Sequence, residues 1–413
     1  MMEERLPKLL VLGSSLPGDR DGGGVVRDEI LRRYARDRYV CCSVEKPSPH
    51  AAASESAREA PWIAAPIAPQ LRWRGARFMM PLVRGIGFHC VAPWQAHAVI
   101  EFGKRHEVEM VWAELQYDAL LIARKVADGM GVPFVGTVWD DPEGWFSDRG
   151  YDIFSRTLIR TRFAEALRAA DNVSTSGERM QEVYRAEYDV DSVILRHGFE
   201  SPAKAATRSE KRDEIVVGFV GSPYGRDAWS AFLSAVGRLN RSGTLPRISL
   251  RVFGGGTFPY RHDDVPIEVR GWQPPQVMLN EVAETDFCYL AYWFEPAKRR
   301  HVELSFANKF ETYVAAARPV FFHAPKYAGM SGAIRKYGVG LCVETLEESD
   351  VCEAVERLVT DAPLRASMSQ CAAAAFHAEF NARVMMRNFA ALIGVERTIF
   401  EETRAPALSG AGR

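Results

Sequence analysis

The 413-residue chain is short of the features that mark several protein classes. Its seven cysteines (Cys41, Cys42, Cys90, Cys288, Cys342, Cys352 and Cys371) are odd in number and show no Cys-x-x-Cys spacing, which argues against a disulfide framework and a structural zinc site. A reducing cytoplasm is the expected home. Charge of one sign is missing too: 52 basic against 53 acidic residues leave −1, so no global field draws the chain to nucleic acid. The longest uncharged apolar stretch, Gly85 to Ile100, is broken by His89, Pro93, Gln95 and His97 and falls short of the ~18 to 20 apolar residues a membrane span needs. The opening MMEERLPKLLVLGSS is acidic where a signal peptide is basic, and its apolar run LLVL is too short. G-x-G-x-x-G is absent, and Ser43-Val44 stands where a dinucleotide site puts an acid, so no nicotinamide or flavin cofactor is expected. No two histidines have ligand spacing, and no metal is expected.

What is present is an α/β rhythm. The length predicts two to four domains at the usual ~100 to 200 residues each. KLLVLGSS reads as a strand, Gly22-Gly23-Gly24 as a glycine loop, VVRDEILRRYARD as a helix and YVCCSV as a second strand, the start of a parallel doubly wound sheet. EMVWAEL, VPFVGTVWDD, DNVSTS and SVILRHGF continue it, with a helix from Arg156 to Ala170 and another capped by Ser176. Glu200 to Asp213 loses every large apolar residue and reads as a linker. The rhythm restarts at EIVVGFVGS and continues through ISLRVFGGG, IEVRGW, DFCYLAYW, PVFFHAP and GLCVE. The expected division is 1–200 as an acceptor-side domain, 201–213 as linker, 214–380 as a donor domain, and 381–413 as a C-terminal helix returning to the first domain, plus a tail.

Three constellations carry chemistry. Gly22 to Gly24 let backbone N–H groups approach a ligand without a Cβ in the way, or they form a plain surface turn. Gly221-Ser222-Pro223-Tyr224-Gly225-Arg226-Asp227 follows a strand and precedes a helix, where Arg226 can grip a pyrophosphate or simply pair with Asp227. Glu303 to Pro319 sets Glu303, Asn308, Lys309 and Glu311 before and within the start of a helix of small residues, an anion site flanked by carboxylates suited to hydroxyls. The bland reading is a close-packed helix with solvated charges.

In this order the segments resemble the GT-B-fold glycosyltransferases, in particular the large retaining group 1, or family 4-like, set that uses nucleotide-diphosphate sugars. The resemblance covers nearly the whole chain and rests on VPFVGTVWDD, STSGERMQEVY, VILRHG, GFVGSPYGRD, RVFGGG, RGW, DFCYLAY and ANKFETYVAAARPV. It implies two Rossmann-like domains with parallel sheets facing across a cleft. It also implies a hexosyltransferase, of the kind used in bacterial polysaccharide biosynthesis, acting on a glycan, lipid-linked or small-molecule acceptor. Arg226 and Lys309 would neutralise the diphosphate, without a metal, and Glu303 would grip the sugar. Glu311 or Thr312 would hold the ribose. Gly221, Ser222, Tyr224 and Asn308 would line the donor site; Gly254, Gly255, Gly271 and Trp272 would surround the base. Gly22 to Gly24 would close over the phosphates, and Asp140 with Asp141 would stand near the acceptor. The Glu, seven residues, Glu spacing selects Glu311, whereas counting back from Ala-Arg-Pro selects Thr312. Ala317 replaces the usual glycine, which would narrow the approach to the donor. Two other functions stay open, a sugar-nucleotide epimerase and an inactive scaffold that binds a nucleotide sugar or a partner.

One stretch stands apart. From Ala60 to Ile100 there are Arg72, Arg74, Arg77 and Arg84, no acid, and Trp73, Phe78, Met79, Met80, Phe88 and Trp94. Basic residues among aromatic ones suit the surface of an anionic membrane, so peripheral contact through 72–94 is one reading and an ordinary core with solvated arginines is the other.

Overall fold

Short apolar runs that stop at small or polar residues become strands here, and each is long enough to cross the sheet only once. The structure, a computed structural model, describes residues 5–18, 22–45, 56, 60–67, 79–146, 150–204, 213–254 and 257–396. The chain divides into two compact units, Met1–Leu195 with Met386–Arg413, and Arg196–Met385.

The first unit holds seven parallel strands: β1 (Leu9–Gly13), β2 (Tyr39–Ser43), β3 (Trp62–Ala64), β4 (Met110–Glu114), β5 (Phe134–Val138), β6 (Asn172–Thr175) and β7 (Ser192–Ile194), in the order β3-β2-β1-β4-β5-β6-β7. The second holds six: β8 (Glu214–Val220), β9 (Arg247–Phe253), β10 (Ile267–Gly271), β11 (Phe287–Ala291), β12 (Val320–His323) and β13 (Gly340–Val343), in the order β10-β9-β8-β11-β12-β13. Both are doubly wound sheets whose strand order reverses at one place, between β1 and β4 and between β8 and β11. A crevice opens beyond the strand ends at such a point, and ligands bind there.

The strands of the second unit are apolar on both faces because helices cover both. Phe321 and Tyr289 join one buried cluster with Trp229 and Phe232, while Phe322 and Leu290 join another with Phe310, Tyr313 and Phe380. In the first unit the end of the chain closes the sheet. Phe389, on the helix Ala382–Ile393, packs 4.6 Å from Trp112 of β4, ring centre to ring centre, and Asn388 donates to the Ile194 carbonyl. Residues 196–204 fold with the second unit: Phe199 bridges to Asn381, and the Ala203 N–H donates to the Ala315 carbonyl. Residues 205–212 of the linker reading, and the tail from 397, lie outside the described residues.

Two local expectations are corrected. Gly22 to Gly24 are not a loop but the first turn of the helix Gly22–Leu31. Ser176 is not a cap, because Gly177 takes that position before the helix Glu178–Tyr188 and the Ser176 hydroxyl donates instead to the Trp139 carbonyl.

Candidate active site

In the second unit β8 and β11 pair only through Phe287↔Val217 and Cys288↔Gly218, then part toward their carboxyl ends. Tyr313 spans the gap: its hydroxyl accepts from the Val220 N–H at 3.1 Å and donates to the Tyr289 carbonyl at 3.0 Å. Four residues earlier, one turn of the helix Asn308–Ala315, Lys309 stands over the same opening. Its ammonium donates to the Tyr224 hydroxyl at 2.5 Å, lies 3.8 Å from the centre of the Tyr224 ring, and makes no ion pair among the described residues. Tyr224 is held in turn by stacking on Trp293, just past β11, at 4.7 Å.

Lys309 is therefore a buried cation with a phenol as its polar partner, and burial pushes its pKa down to about 7. A buried ammonium without an anion is costly. An anion reaching it would supply the missing charge.

The glycines around it follow from the same crowding. Gly221 turns out of β8 with φ +80°, its N–H donating to the Phe253 carbonyl. Gly254, the residue after β9, lies against it, where a Cβ would lie 3.1 Å from the Gly221 Cα. The result is bare backbone at the carboxyl edge, below Lys309.

Other sequence-read residues are placed as follows. Arg226 is exposed at the start of the helix Arg226–Ser242, its guanidinium forms no hydrogen bond or ion pair among the described residues, and its charge acts on Tyr260. Ser222 is exposed, and Glu303 is half-buried on the helix Arg299–Leu304. Asn308 opens the Lys309 helix. Gly271 ends β10 and Trp272 is exposed after it, whereas Gly255 lies outside the described residues.

The two residues read at the second acidic position lie on different sides of the helix. Thr312, three residues after Lys309, shares its helix face. Glu311 is turned about one residue away, toward Arg196 and the His197 backbone N–H. Its Oε2 has no hydrogen-bond partner, and burial pushes the carboxyl up to about 8 against the opposing pull of Arg196. Ala317 also takes a different role from the expected one. It lies at φ +51° just past the helix, with its N–H on the Val314 carbonyl and the Arg318 N–H on the Tyr313 carbonyl. That is a Schellman end, where glycine relieves the left-handed backbone. The alanine thus bears on how the helix stops, at the end opposite Lys309.

In the first unit the corresponding point is filled by a pair that sequence reasoning missed. Arg27 and Glu114 meet at 2.6 Å, both almost wholly buried. The same Glu114 oxygen accepts from the Ser14 N–H and hydroxyl at 3.0 and 2.8 Å, while Arg27 also donates to the Ser15 hydroxyl at 2.8 Å. The pair locks the helix that begins at Gly22–Gly24 onto β1 and β4. A Cβ on Gly23 would lie 2.7 Å from Glu114 Oε1, so this glycine serves close packing. The signal was available: a charge ending the apolar run EMVWAEL, and an arginine among the apolar positions of the helix. Asp140 is half-buried beyond β5, and Asp141 is buried, accepting from the Tyr184 hydroxyl and the Glu143 N–H.

Among the described residues, no group of three or more His, Cys, Asp or Glu is placed to hold a metal ion. The sequence does contain two Asp-x-Asp triplets. Asp19-Arg20-Asp21 lies outside the described residues, and Asp189-Val190-Asp191 precedes β7 at the amino edge of its sheet, with Asp191 paired to Arg185. No described helix is long and apolar enough to cross a membrane.

Twin doubly wound parallel sheets of this strand order make the chain a GT-B-fold protein, and solved structures agree. HepE from Anabaena, in complex with UDP-glucose, superposes with a TM-score of 0.66 at 13% identity, covering 94% of this chain and 100% of that one. Sucrose-phosphate synthase from Thermosynechococcus elongatus gives 0.65 at 13% identity over 96% of this chain and 100% of its own. The α,α-trehalose 6-phosphate synthase of Burkholderia multivorans gives 0.60 at 14% over 98% and 100%. No family model and no curated protein sequence matches the chain.

Proposed function

We propose that the chain is a glycosyltransferase that moves a hexose from a nucleotide-diphosphate sugar to a glycan, lipid-linked or small-molecule acceptor, with retention and without a metal. The observation that carries it is Lys309, a buried ammonium lacking an anion at the switch point of the second sheet. The three solved relatives above, one of them holding UDP-glucose, support the donor class.

Cleavage of the sugar–phosphate bond leaves electron density on the departing diphosphate, and Lys309 with Arg226 would take that charge. Donors already in place for developing charge supply the largest share of such catalysis, ~3 to 4 kcal/mol each. The bare edge at Gly221, with Ser222 and the helix start at Asn308, would accept the phosphates closely. Glu303 would hold sugar hydroxyls and Thr312 the ribose, in preference to Glu311, while Gly255, Gly271 and Trp272 would meet the base. In the first unit the proposal keeps Gly22 to Gly24 as a donor contact and Asp140 as an acceptor contact. With retention, the leaving phosphate oxygen takes the acceptor's proton, and no protein base is required.

The test is release of nucleoside diphosphate from a panel of UDP-, GDP- and dTDP-sugars, with and without EDTA. Turnover of one donor, unaffected by EDTA, is the expected result. Tight binding without release would make the chain a scaffold, and a changed sugar on an intact nucleotide would make it an epimerase. Either outcome overturns the proposal.

A further inference from the structure

Residues 79–105 form an almost continuous helix, Met80–Ile86 and Ala92–Arg105 joined by one π-helical turn at Gly87–Val91. Its apolar residues split between two sides. Phe88 turns inward and stacks on Tyr151 at 6.2 Å, whereas Leu82, Ile86 and Trp94 are 63%, 51% and 67% exposed, spaced four and eight residues apart. Four-residue spacing sets Leu82 and Ile86 on one side, and the extra residue taken up by the π turn brings Trp94, eight positions on, back toward that side.

A second element extends the face. Arg84 donates to the Gly150 carbonyl at 2.6 Å and lies over the Tyr151 ring at 4.2 Å, which fastens the helix beside the start of Ile153–Ala169. There Ile153 and Phe154 are 65% and 83% exposed. Five large apolar side chains thus stand in solvent on two adjoining helices, more than a scatter of single exposed residues.

Charge indicates what covers them. The helix Ile153–Ala169 carries Arg156, Arg160, Arg162 and Arg168 against Glu165, four against one, a net of +3. Residues 80–105 carry Arg84, Lys104 and Arg105 against Glu101, three against one, a net of +2. The whole chain is at −1, so positive charge is concentrated here, and the sequence from 61 to 100 holds no acid at all. Part of that charge is matched, Arg160 by Glu143 and Arg162 by Glu165, so what remains is a net positive excess along the two helices. Exposed apolar side chains with a tryptophan among them, on helices of net positive charge, match the interface of an anionic bilayer, where aromatic rings sit at headgroup depth and basic residues add attraction.

We propose that this face, Leu82, Ile86 and Trp94 with Ile153 and Phe154, docks the protein onto an anionic lipid surface. Of the sequence reading of 72–94, residues 72–78 lie outside the described residues; the face takes one side of the helix that follows and adds a second helix that the reading did not contain. The proposal does not depend on catalysis, since flotation with vesicles and nucleotide release in buffer are separate measurements.

The experiment floats the full-length protein with vesicles of equal parts phosphatidylglycerol and phosphatidylcholine, and with phosphatidylcholine alone. Binding to the first and not the second is expected, weakened by salt and reduced about tenfold in the Leu82→Ser/Phe154→Ser variant, whose substituted sites are already in solvent. Equal circular dichroism spectra confirm that both proteins fold. Failure of the wild type to float with anionic vesicles, or unchanged flotation of the variant, overturns the proposal. So does a wild-type dimer in analytical ultracentrifugation that the variant loses, because the face would then belong to a second copy of the chain.

Discussion

The two sheets reverse direction in the same way yet treat charge at the reversal differently. Between β1 and β4 a buried guanidinium meets a buried carboxylate, and the serines after β1 supply further bonds to both. Between β8 and β11 a buried ammonium meets a phenol and an aromatic face. A charge matched by its counterion serves structure, holding a helix to two strands. A buried charge left short of its counterion costs the fold stability, and it is there that the proposed function seats the donor's anion.

The contrast can be tested by removing each cation. Arg27→Ala strands the Glu114 carboxylate and is expected to destabilise the first unit by about 3–5 kcal/mol. Chemical denaturation measures it, and a loss under about 1 kcal/mol would mean the pair is dispensable. Lys309→Met should do the reverse. Turnover of the donor falls about 10²- to 10³-fold, as for loss of one charge-stabilising donor, while the melting temperature holds or rises. The same lysine sets a pH dependence. Above pH about 7 the free protein has lost the proton that an anion needs, so nucleoside diphosphate affinity should fall roughly tenfold per pH unit, and the Met variant should lack that slope.

Glu311 sharpens the comparison within the second unit. Its folded carboxyl stays protonated up to about pH 8, whereas the unfolded chain loses that proton in the ordinary glutamate range. Folded protein therefore binds more protons between those values, and stability declines as pH rises through that window. Glu311→Gln should remove the decline and gain on the order of 2 kcal/mol at pH 8, read from denaturation curves at pH 5 and pH 8. A slope that survives the substitution would assign the effect to another group. The smallest effect is expected at Ala317. Glycine there relieves a left-handed backbone and should add ~0.5–1 kcal/mol without altering donor turnover; a change in turnover would restore the idea that this position governs donor approach.

Much of this was readable in one dimension. Apolar runs of strand length alternating with helical spacing require covered parallel sheets, and they placed the strands from KLLVLGSS to GLCVE. ANKFETYV announced a cation at a helix start. Helical spacing puts Thr312 on the side of Lys309, but it could not decide that this side is the one over the opening between β8 and β11, nor that Phe88 points in and Trp94 out, since each depends on the rotation of a helix against its neighbours. The Arg27–Glu114 pair escaped because its members are 87 residues apart and meet only when β1 lies beside β4.

The sequence by itself determined the order of strands and helices, because hydrophobic periodicity and chain turns act locally. Tertiary structure decided which charges are matched and which are left waiting, because the counterion of a buried group is chosen by packing between distant segments.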